Sequence, residues 1–181
     1  DMSNRWMLGF YLNEESVAIF SVMTFLSMTA PAAILTILGG YILPIIYERE
    51  NFEKGYARSV INKLVVKLFL FLFLFAMLVG KYSNEIVILF SRAEYAEFSW
   101  ALPYLLAAYS LYVLSMFMSY ELLAEHNQNR LILPAIISGV VTLISGWIGI
   151  NYYGLQGAFY SYIFGYISFS FFIYLAIHKQ R

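Results

Sequence analysis

The chain is 181 residues long, with 61% hydrophobic and 12% charged residues. A soluble globular domain is about 45–50% apolar and about 25% charged, so this composition excludes a water-soluble fold and predicts an integral membrane protein. The formal net charge is zero, which gives no indication of a nucleic-acid partner. There is no cysteine, and the two histidines lie far apart at His126 and His178, so disulfides, metal sites and histidine-based catalytic triads are not expected.

The first predicted transmembrane helix covers residues 16–47, a stretch without any charged residue. As one helix it would measure about 48 Å, longer than the ~30 Å hydrocarbon core of a bilayer. Pro31 removes a backbone hydrogen bond near its middle, and Gly39, Gly40 and Pro44 loosen its far end. We therefore expect a kinked or broken helix; the alternative is a helix followed by a re-entrant segment.

Four further apolar segments predict the remaining membrane helices. They cover residues 64–80, 99–123, 131–150 and 158–177. Each is close to the roughly 20 residues that span a bilayer. The intervening segments 48–63 and 81–98 are predicted to be loops or interfacial segments at the membrane surface. The predicted fold class is an all-α integral membrane bundle of about five transmembrane helices, in a single domain over residues 1–181.

Lysine and arginine are distributed unequally between the two ends of the predicted helices. The end that holds the N-terminal segment carries Arg5, Lys81 and Arg92. The opposite end carries Arg49, Lys54, Arg58, Lys63, Lys67, Arg130, Lys179 and Arg181. Because cytoplasmic loops are enriched in these residues, the second end is predicted to be cytoplasmic, so the chain is expected to begin outside and end inside.

Small residues recur at helical spacing in the last two predicted helices. One set is Gly157, Ser161, Gly165 and Ser168, and the other is Ser138, Gly139, Thr142, Ser145, Gly146 and Gly149. Lipid gives helices no hydrophobic reason to associate, so such stripes favour close helix packing. The alternative interpretation is that some of these residues line a polar cavity.

Sixteen tyrosines are present, and those near predicted helix ends are typical of an interfacial aromatic belt. A deeper set comprises Tyr41, Tyr109, Tyr112, Tyr162 and Tyr166. Their hydroxyls need partners, which neighbouring helices could supply. The alternative is a central cavity in which they stack on or hydrogen-bond to a sugar. The five predicted helices carry no charge at mid-membrane, and Glu121 and Glu125 are interpreted as solvated helix-end residues rather than a cation site.

Four segments resemble polysaccharide flippases of the O-antigen and capsule type, within the multidrug/oligosaccharidyl-lipid/polysaccharide exporter superfamily. SNRWMLGFYLNEESVAIFSV resembles the opening of their C-terminal half, with Asn4 in place of an acidic residue and Ala18-Ile19-Phe20 in place of Gly-x-Tyr. ILPIIYERENFEKG resembles their Pro-x-x-Tyr-Glu helix end. VILFSRAEYAEF resembles their Leu-Phe-Gly segment, with Ser91 in place of glycine, and NYYGLQGAFYSYIFGY resembles their Tyr-Gly-x-x-Gly-Ala turn.

The resemblance implies the C-terminal lobe of a two-lobed, twelve-helix transporter, corresponding to helices eight to twelve. The family carries undecaprenyl-pyrophosphate-linked oligosaccharide repeat units across the inner membrane for surface polysaccharide biosynthesis, by alternating access between its lobes. The chain does not open with methionine and shows no signal-peptide pattern, so we expect an internal piece of a longer protein. Its expected partners are the lipid bilayer, the missing N-terminal half of the same chain and the lipid-linked glycan.

No catalytic residue, cofactor or metal is expected, since the protein is predicted to be a transporter rather than an enzyme. Arg5, at the outer mouth, is the expected contact for pyrophosphate or sugar, and Tyr109 and Tyr112 are the expected substrate-binding tyrosines. Three alternatives stay open. They are a multidrug or metabolite antiporter of the same superfamily, a membrane-embedded glycan polymerase or ligase subunit, and a structural membrane subunit.

Overall fold

The computed structural model describes residues 2–178, and over this range the chain folds into helices joined by short turns. The α-helices are α1 Met2–Tyr11, α2 Glu14–Glu50, α3 Tyr56–Lys81, α4 Ser83–Phe90, α5 Ala101–Ala124, α6 Ile132–Tyr153 and α7 Leu155–His178. The helices α2, α3, α5, α6 and α7 are long and apolar enough to cross a membrane, which confirms the predicted all-α membrane bundle. Lys179 and Arg181, counted above in the basic set, lie outside the described residues.

The membrane helices alternate in direction, so the bundle has two ends. We call the end with the α1–α2, α4–α5 and α6–α7 turns the A end, and the end with the α2–α3 and α5–α6 turns the B end. The A end also holds α4 and a short 3-10 helix, Ala93–Phe98. A second 3-10 helix, Gln128–Leu131, leads into α6 at the B end. The segment 81–98, predicted as a loop with a shallow interfacial piece, is therefore mostly helical.

Helix α2 continues without interruption for 37 residues, through both Pro31 and Pro44. The predicted break does not occur, and a re-entrant segment is absent from this part of the described chain. Proline is tolerated within membrane helices where neighbouring helices surround it, and Pro31 is buried in the bundle. The helix begins at an Asn13 cap, whose side chain accepts a hydrogen bond from the Ser16 N–H at 2.8 Å.

The connection between α2 and α3 is shorter than the predicted surface segment 48–63. Helix α3 already begins at Tyr56, and Gly55 before it adopts a left-handed conformation with φ of 87°. The Glu50 carboxylate accepts hydrogen bonds from the N–H groups of Gly55 and Ala57, both at 2.6 Å. A negative side chain thereby satisfies free donors at the start of α3, where the helix dipole also favours it.

Helix α5 forms the centre of the bundle. It packs against α2, α3 and α7, and 16 of its 24 residues are buried. Its A-end half lies against Phe20 of α2 and Phe159 of α7, and its B-end half against Ile46 and Ile61. By contrast α3 and α6 are mostly exposed and apolar, as expected of helices whose outer faces meet lipid.

Helices α6 and α7 pack tightly through the small residues noted in the sequence. A Cβ atom added to Gly149 would lie 2.8 Å from the Gly157 carbonyl oxygen, and one added to Gly157 would clash with the Gly149 carbonyl. A Cβ on Gly165 would clash with the Thr142 hydroxyl. The packing interpretation of these glycines is therefore confirmed, since only a missing side chain allows so close an approach.

Helix α1 was not predicted, and it changes the depth of the N-terminal segment. It runs antiparallel to α2, with Gly9 facing Val17, where an added Cβ would lie 3.7 Å from Cγ2. Leu12 lies at the A end beside the α6–α7 turn at Gly154. Met2 is exposed, but it lies about one helix length below the A end, because α1 descends along α6 and α7 for ten residues.

Candidate functional site

A cavity of about 460 Å³ lies between α1, α5, α6 and α7. We call it the tyrosine cavity, because three phenol rings and three aliphatic hydroxyls form its polar wall. These residues are Ser3, Tyr112, Ser138, Thr142, Tyr162 and Tyr166. On α7 the wall extends from Tyr162 to Phe169, roughly 10 to 21 Å from the A end of that helix at 1.5 Å per residue. The cavity therefore lies at mid-membrane depth.

The predicted tyrosines Tyr109 and Tyr112 belong to one continuous aromatic cluster beside this cavity. Their ring centroids are 5.4 Å apart, and both contact Tyr166 of α7, at 5.4 and 4.9 Å. Tyr112 lies in the cavity wall and also contacts Phe169 at 5.2 Å, whereas Tyr109 packs behind it. Tyr162 extends the cluster toward the A end, with its ring 4.6 Å from that of Tyr166. Offset and edge-on pairs at these distances stabilise one another beyond simple area burial.

Tyr41, the other deep tyrosine of the sequence, is 72% exposed on α2. It contributes nothing to the cavity wall, which is formed by other helices. Its side chain lies on the outer surface of the described bundle, so the structure separates it from the clustered tyrosines.

Tyr162 differs from the other tyrosines of the cluster in how completely it is enclosed. Its side chain is 2% exposed and its ring packs edge-on against Phe20, with centroids 6.1 Å apart. Its hydroxyl is enclosed as well, and it interacts with the hydroxyl of Tyr166 and with the charge of Arg5. Tyr162 therefore joins the cavity wall with its hydroxyl held inside the aromatic cluster.

The aliphatic hydroxyls on α6 complete the polar wall in a complementary way. Thr142 Oγ1 donates to the Ser138 carbonyl at 2.8 Å, and Ser138 Oγ donates to the Ala135 carbonyl at 3.0 Å. Since both protons are used within the helix, the oxygen lone pairs remain as acceptors. A ligand in the cavity would thus meet a phenol donor on α7 and hydroxyl acceptors on α6.

Asn4 fastens α1 to this part of the bundle. Its side chain is fully buried; Nδ2 donates to Ser161 Oγ at 2.8 Å, and Ser161 Oγ approaches Oδ1 at 3.0 Å. Gly146 on α6 leaves room for it, because an added Cβ there would lie 2.6 Å from Oδ1. A neutral amide can both donate and accept, whereas a carboxylate only accepts. This accounts physically for asparagine at the position where the flippase-like pattern has an acid.

Arg5 follows Asn4 and lies deeper than the outer mouth at which the sequence placed it. It is seven residues from Leu12 along α1, which corresponds to roughly 10 Å below the A end. The side chain is partly buried and its charge reaches Tyr162. It borders a separate open cavity with Met2, Trp6 and Gly9 rather than the tyrosine cavity, where Ser3 is the α1 residue of the wall.

Glu121 was predicted to be a solvated helix-end residue, and this prediction is wrong. It is buried rather than solvated, with 7% of its surface exposed, and its Oε1 lies 3.7 Å from Arg58 Nε of α3. Glu125, one turn further on, is exposed as predicted. A charge pair explains the burial of Glu121, because an isolated carboxylate would be expensive there. Within residues 2–178 no group of three or more metal-ligating side chains is present.

Comparison with known proteins finds no matching family model, no matching curated protein and no matching solved structure. The resemblance to flippases in the sequence therefore stays a prediction. Sequence reasoning named Tyr109 and Tyr112 but missed that Tyr162 and Thr142 share a cavity with Tyr112. The signal available was the small-residue stripe on both α6 and α7, which brings the two helices close enough to form that wall.

Proposed function

We propose that this chain is the C-terminal lobe of an exporter that flips lipid-linked oligosaccharide repeat units across the inner membrane. The observation that carries the proposal is the tyrosine cavity, a hydroxyl-lined and aromatic space at mid-membrane depth. Sugar rings offer apolar C–H faces and a rim of hydroxyls, which match aromatic rings and hydrogen-bonding side chains. The flippase-like segments around Arg5, Pro44 and Gly154 support the same assignment.

In this proposal, Arg5 binds the anionic pyrophosphate group of that substrate. It supplies a permanent positive charge within the membrane-embedded part of the chain, where charged residues are costly and mark functional sites. A guanidinium can form bidentate, charge-assisted hydrogen bonds with phosphate oxygens. In this proposal the N-terminal half of the parent transporter forms the opposite wall of the substrate path, and Arg5 and the tyrosine cavity contact neighbouring parts of the substrate.

Deletion of the gene tests the proposed function directly. We expect surface polysaccharide to disappear while the completed undecaprenyl-linked repeat unit accumulates on the cytoplasmic leaflet, because synthesis would continue without export. Mass spectrometry of extracted lipids measures the accumulation, and a plasmid copy of the full-length gene is the control. If the lipid-linked unit is never made in the deletion strain, the protein acts in synthesis and the proposal is wrong.

Orientation is tested by cysteine accessibility, since the chain contains no native cysteine. We propose that the B end is cytoplasmic, because it carries most of the lysines and arginines. Asn51 at the B end and Asn84 at the A end are both exposed. In intact cells a membrane-impermeant thiol reagent should label Asn84→Cys but not Asn51→Cys, and both should react after permeabilisation. The reverse labelling pattern would invert the topology.

A further inference from the structure

We propose that a groove on the outer face of α6 and α7 binds one acyl chain of a membrane phospholipid. The groove has a volume of about 410 Å³ and lies between residues 141–153 of α6 and residues 157–164 of α7. We call it the α6–α7 groove. No described residue lines both this groove and the tyrosine cavity, so its ligand is separate from any substrate held there.

The α6–α7 groove is concave because two glycines lie between larger side chains. Gly157 is buried and Gly149 is half-buried, and a Cβ atom added to Gly149 would lie 2.8 Å from the Gly157 carbonyl oxygen. Ile148 on α6 and Phe164 on α7 are exposed on either side. A chain in this space would contact protein on three sides, whereas a chain on a flat helix face contacts it on one. Since lipid itself is apolar, this difference in dispersion contacts decides which chain stays bound.

The interior of the groove suits an apolar ligand, because its aliphatic hydroxyls are already hydrogen-bonded. Ser145 Oγ donates to the Val141 carbonyl at 2.6 Å. Ser161 Oγ accepts from Asn4 Nδ2 at 2.8 Å. An acyl chain requires nothing further from these groups, whereas a polar ligand would lose its hydration without gaining new hydrogen bonds.

The length of the groove matches one leaflet of a bilayer. From Val141 to Tyr153 the helix rises roughly 18 Å, and half of the ~30 Å hydrocarbon core is about 15 Å. Tyr153 and Tyr160 line the part nearest the A end, where the Trp100 ring lies 6.4 Å from that of Tyr160. Aromatic side chains of this kind are typical of the headgroup level. The apolar interior and the aromatic end therefore correspond to the chain and the headgroup region of a phospholipid in the A-end leaflet.

The bilayer is the expected source of the ligand, because the groove is continuous with the lipid-facing surface of these helices. Both α6 and α7 are long and apolar enough to cross a membrane. Ile144, Trp147 and Phe164 are each more than half exposed around the groove. Large apolar side chains exposed on membrane helices face lipid. Another copy of the chain, or a further segment of the parent protein, would instead cover the groove and exclude lipid from it.

The test uses the purified full-length protein in nanodiscs that contain a small fraction of phosphatidylcholine with a diazirine on one acyl chain. Cross-links mapped by mass spectrometry should concentrate on the α6–α7 groove and saturate near one lipid per protein. The outer face of α3 at Leu70 and Leu74 is the reference, because both residues are exposed. Labelling per exposed residue should be about fivefold higher in the groove, since a flat face offers a chain fewer contacts.

Two variants test the groove, each with a matched control. Phe164→Ala removes one wall and should lower groove labelling about fivefold through lost dispersion contacts. Phe171→Ala should leave it unchanged, because Phe171 is exposed to nearly the same extent, 56% against 55%, but lies outside the groove. Ser145→Leu should nearly abolish labelling by filling the groove from α6. Thr36→Leu is its control, since Thr36 is an exposed residue of α2 whose hydroxyl also bonds to its own helix.

The unfolding midpoint of each variant separates binding from folding, and Phe164→Ala decides the test if Ser145→Leu does not fold. Equal labelling of the groove and of the α3 face would mean contact with bulk lipid only, and it would overturn the proposal. An unlabelled groove beside a labelled α3 face would overturn it as well, because protein would then cover the groove. Unchanged groove labelling of folded Phe164→Ala would have the same consequence.

Discussion

Replacing Gly157 by alanine should remove most of the folded protein from the membrane. A Cβ atom at this position would overlap the backbone carbonyl of Gly149, and both partners are main-chain atoms of packed helices. No side-chain rotation can relieve that overlap, so α6 and α7 would have to move apart. Overpacking typically costs about 1–3 kcal/mol where side chains can adjust, and we expect more than this where they cannot.

The measurement is the amount of monodisperse protein after mild detergent extraction, together with its thermal unfolding midpoint. Gly139→Ala is the matched control, because it introduces the same methyl group on α6 where nothing lies within 4 Å. That variant should be neutral or slightly stabilising, since alanine favours helix over glycine by about 1 kcal/mol. Equal yields of Gly157→Ala and Gly139→Ala would contradict the close contact between α6 and α7.

The long helices are predictable from sequence because the bilayer constrains them so strongly. In lipid every backbone polar group needs an internal partner, so an uncharged stretch of 20 residues has few structures available to it. The segments 64–80 and 131–150 accordingly match most of α3 and α6. Their ends differ because local contacts decide them: Glu50 allows α3 to begin at Tyr56, in a sequence that reads as a polar loop.

Helix α1 shows what a hydropathy pattern cannot supply. Its ten residues include Ser3, Asn4 and Arg5, and they are too few and too polar to indicate a membrane segment. The helix is nonetheless embedded, because Asn4 finds Ser161 on α7 and a gap at Gly146 on α6. Partners so distant in sequence are set by tertiary packing. The depth of Arg5 depends on these tertiary contacts. The sequence does not contain them in a local pattern, so it predicted Arg5 at the membrane surface.

The candidate site was predictable only in part for a similar reason. The helical periodicity and the position along the predicted helix indicate that Tyr109 and Tyr112 lie inside the bundle. They do not indicate which of the two tyrosines lines a cavity. Tyr112 reaches the cavity while Tyr109 packs behind it, since the position of α7 decides between them. The small residues of α6 likewise differ in their surroundings. Gly149 packs against α7, whereas Gly139 borders the open wall of the tyrosine cavity.

Arg5→Ala, made in the full-length protein, should reduce export of the lipid-linked repeat unit at least tenfold. The reason is electrostatic: a pyrophosphate that loses its water needs a fixed positive charge, and a guanidinium supplies two parallel charge-assisted hydrogen bonds. Arg5→Lys keeps the charge but not the planar fork, so it should restore export only in part. Rates are measured as polysaccharide appearing at the cell surface after a pulse of labelled sugar, normalised to folded transporter.

Arg92→Ala is the matched control, because it removes an exposed arginine at the A end. It should leave export unchanged, which would show that net charge alone does not govern the rate. A structural role for Arg5 predicts a different result, in which Arg5→Ala lowers the amount of folded protein and the rate per folded molecule stays constant. A folded Arg5→Ala variant that exports at the normal rate would remove Arg5 from the substrate path. Partial rescue by lysine, in transporter of unchanged yield, is the outcome that assigns Arg5 to the anionic group.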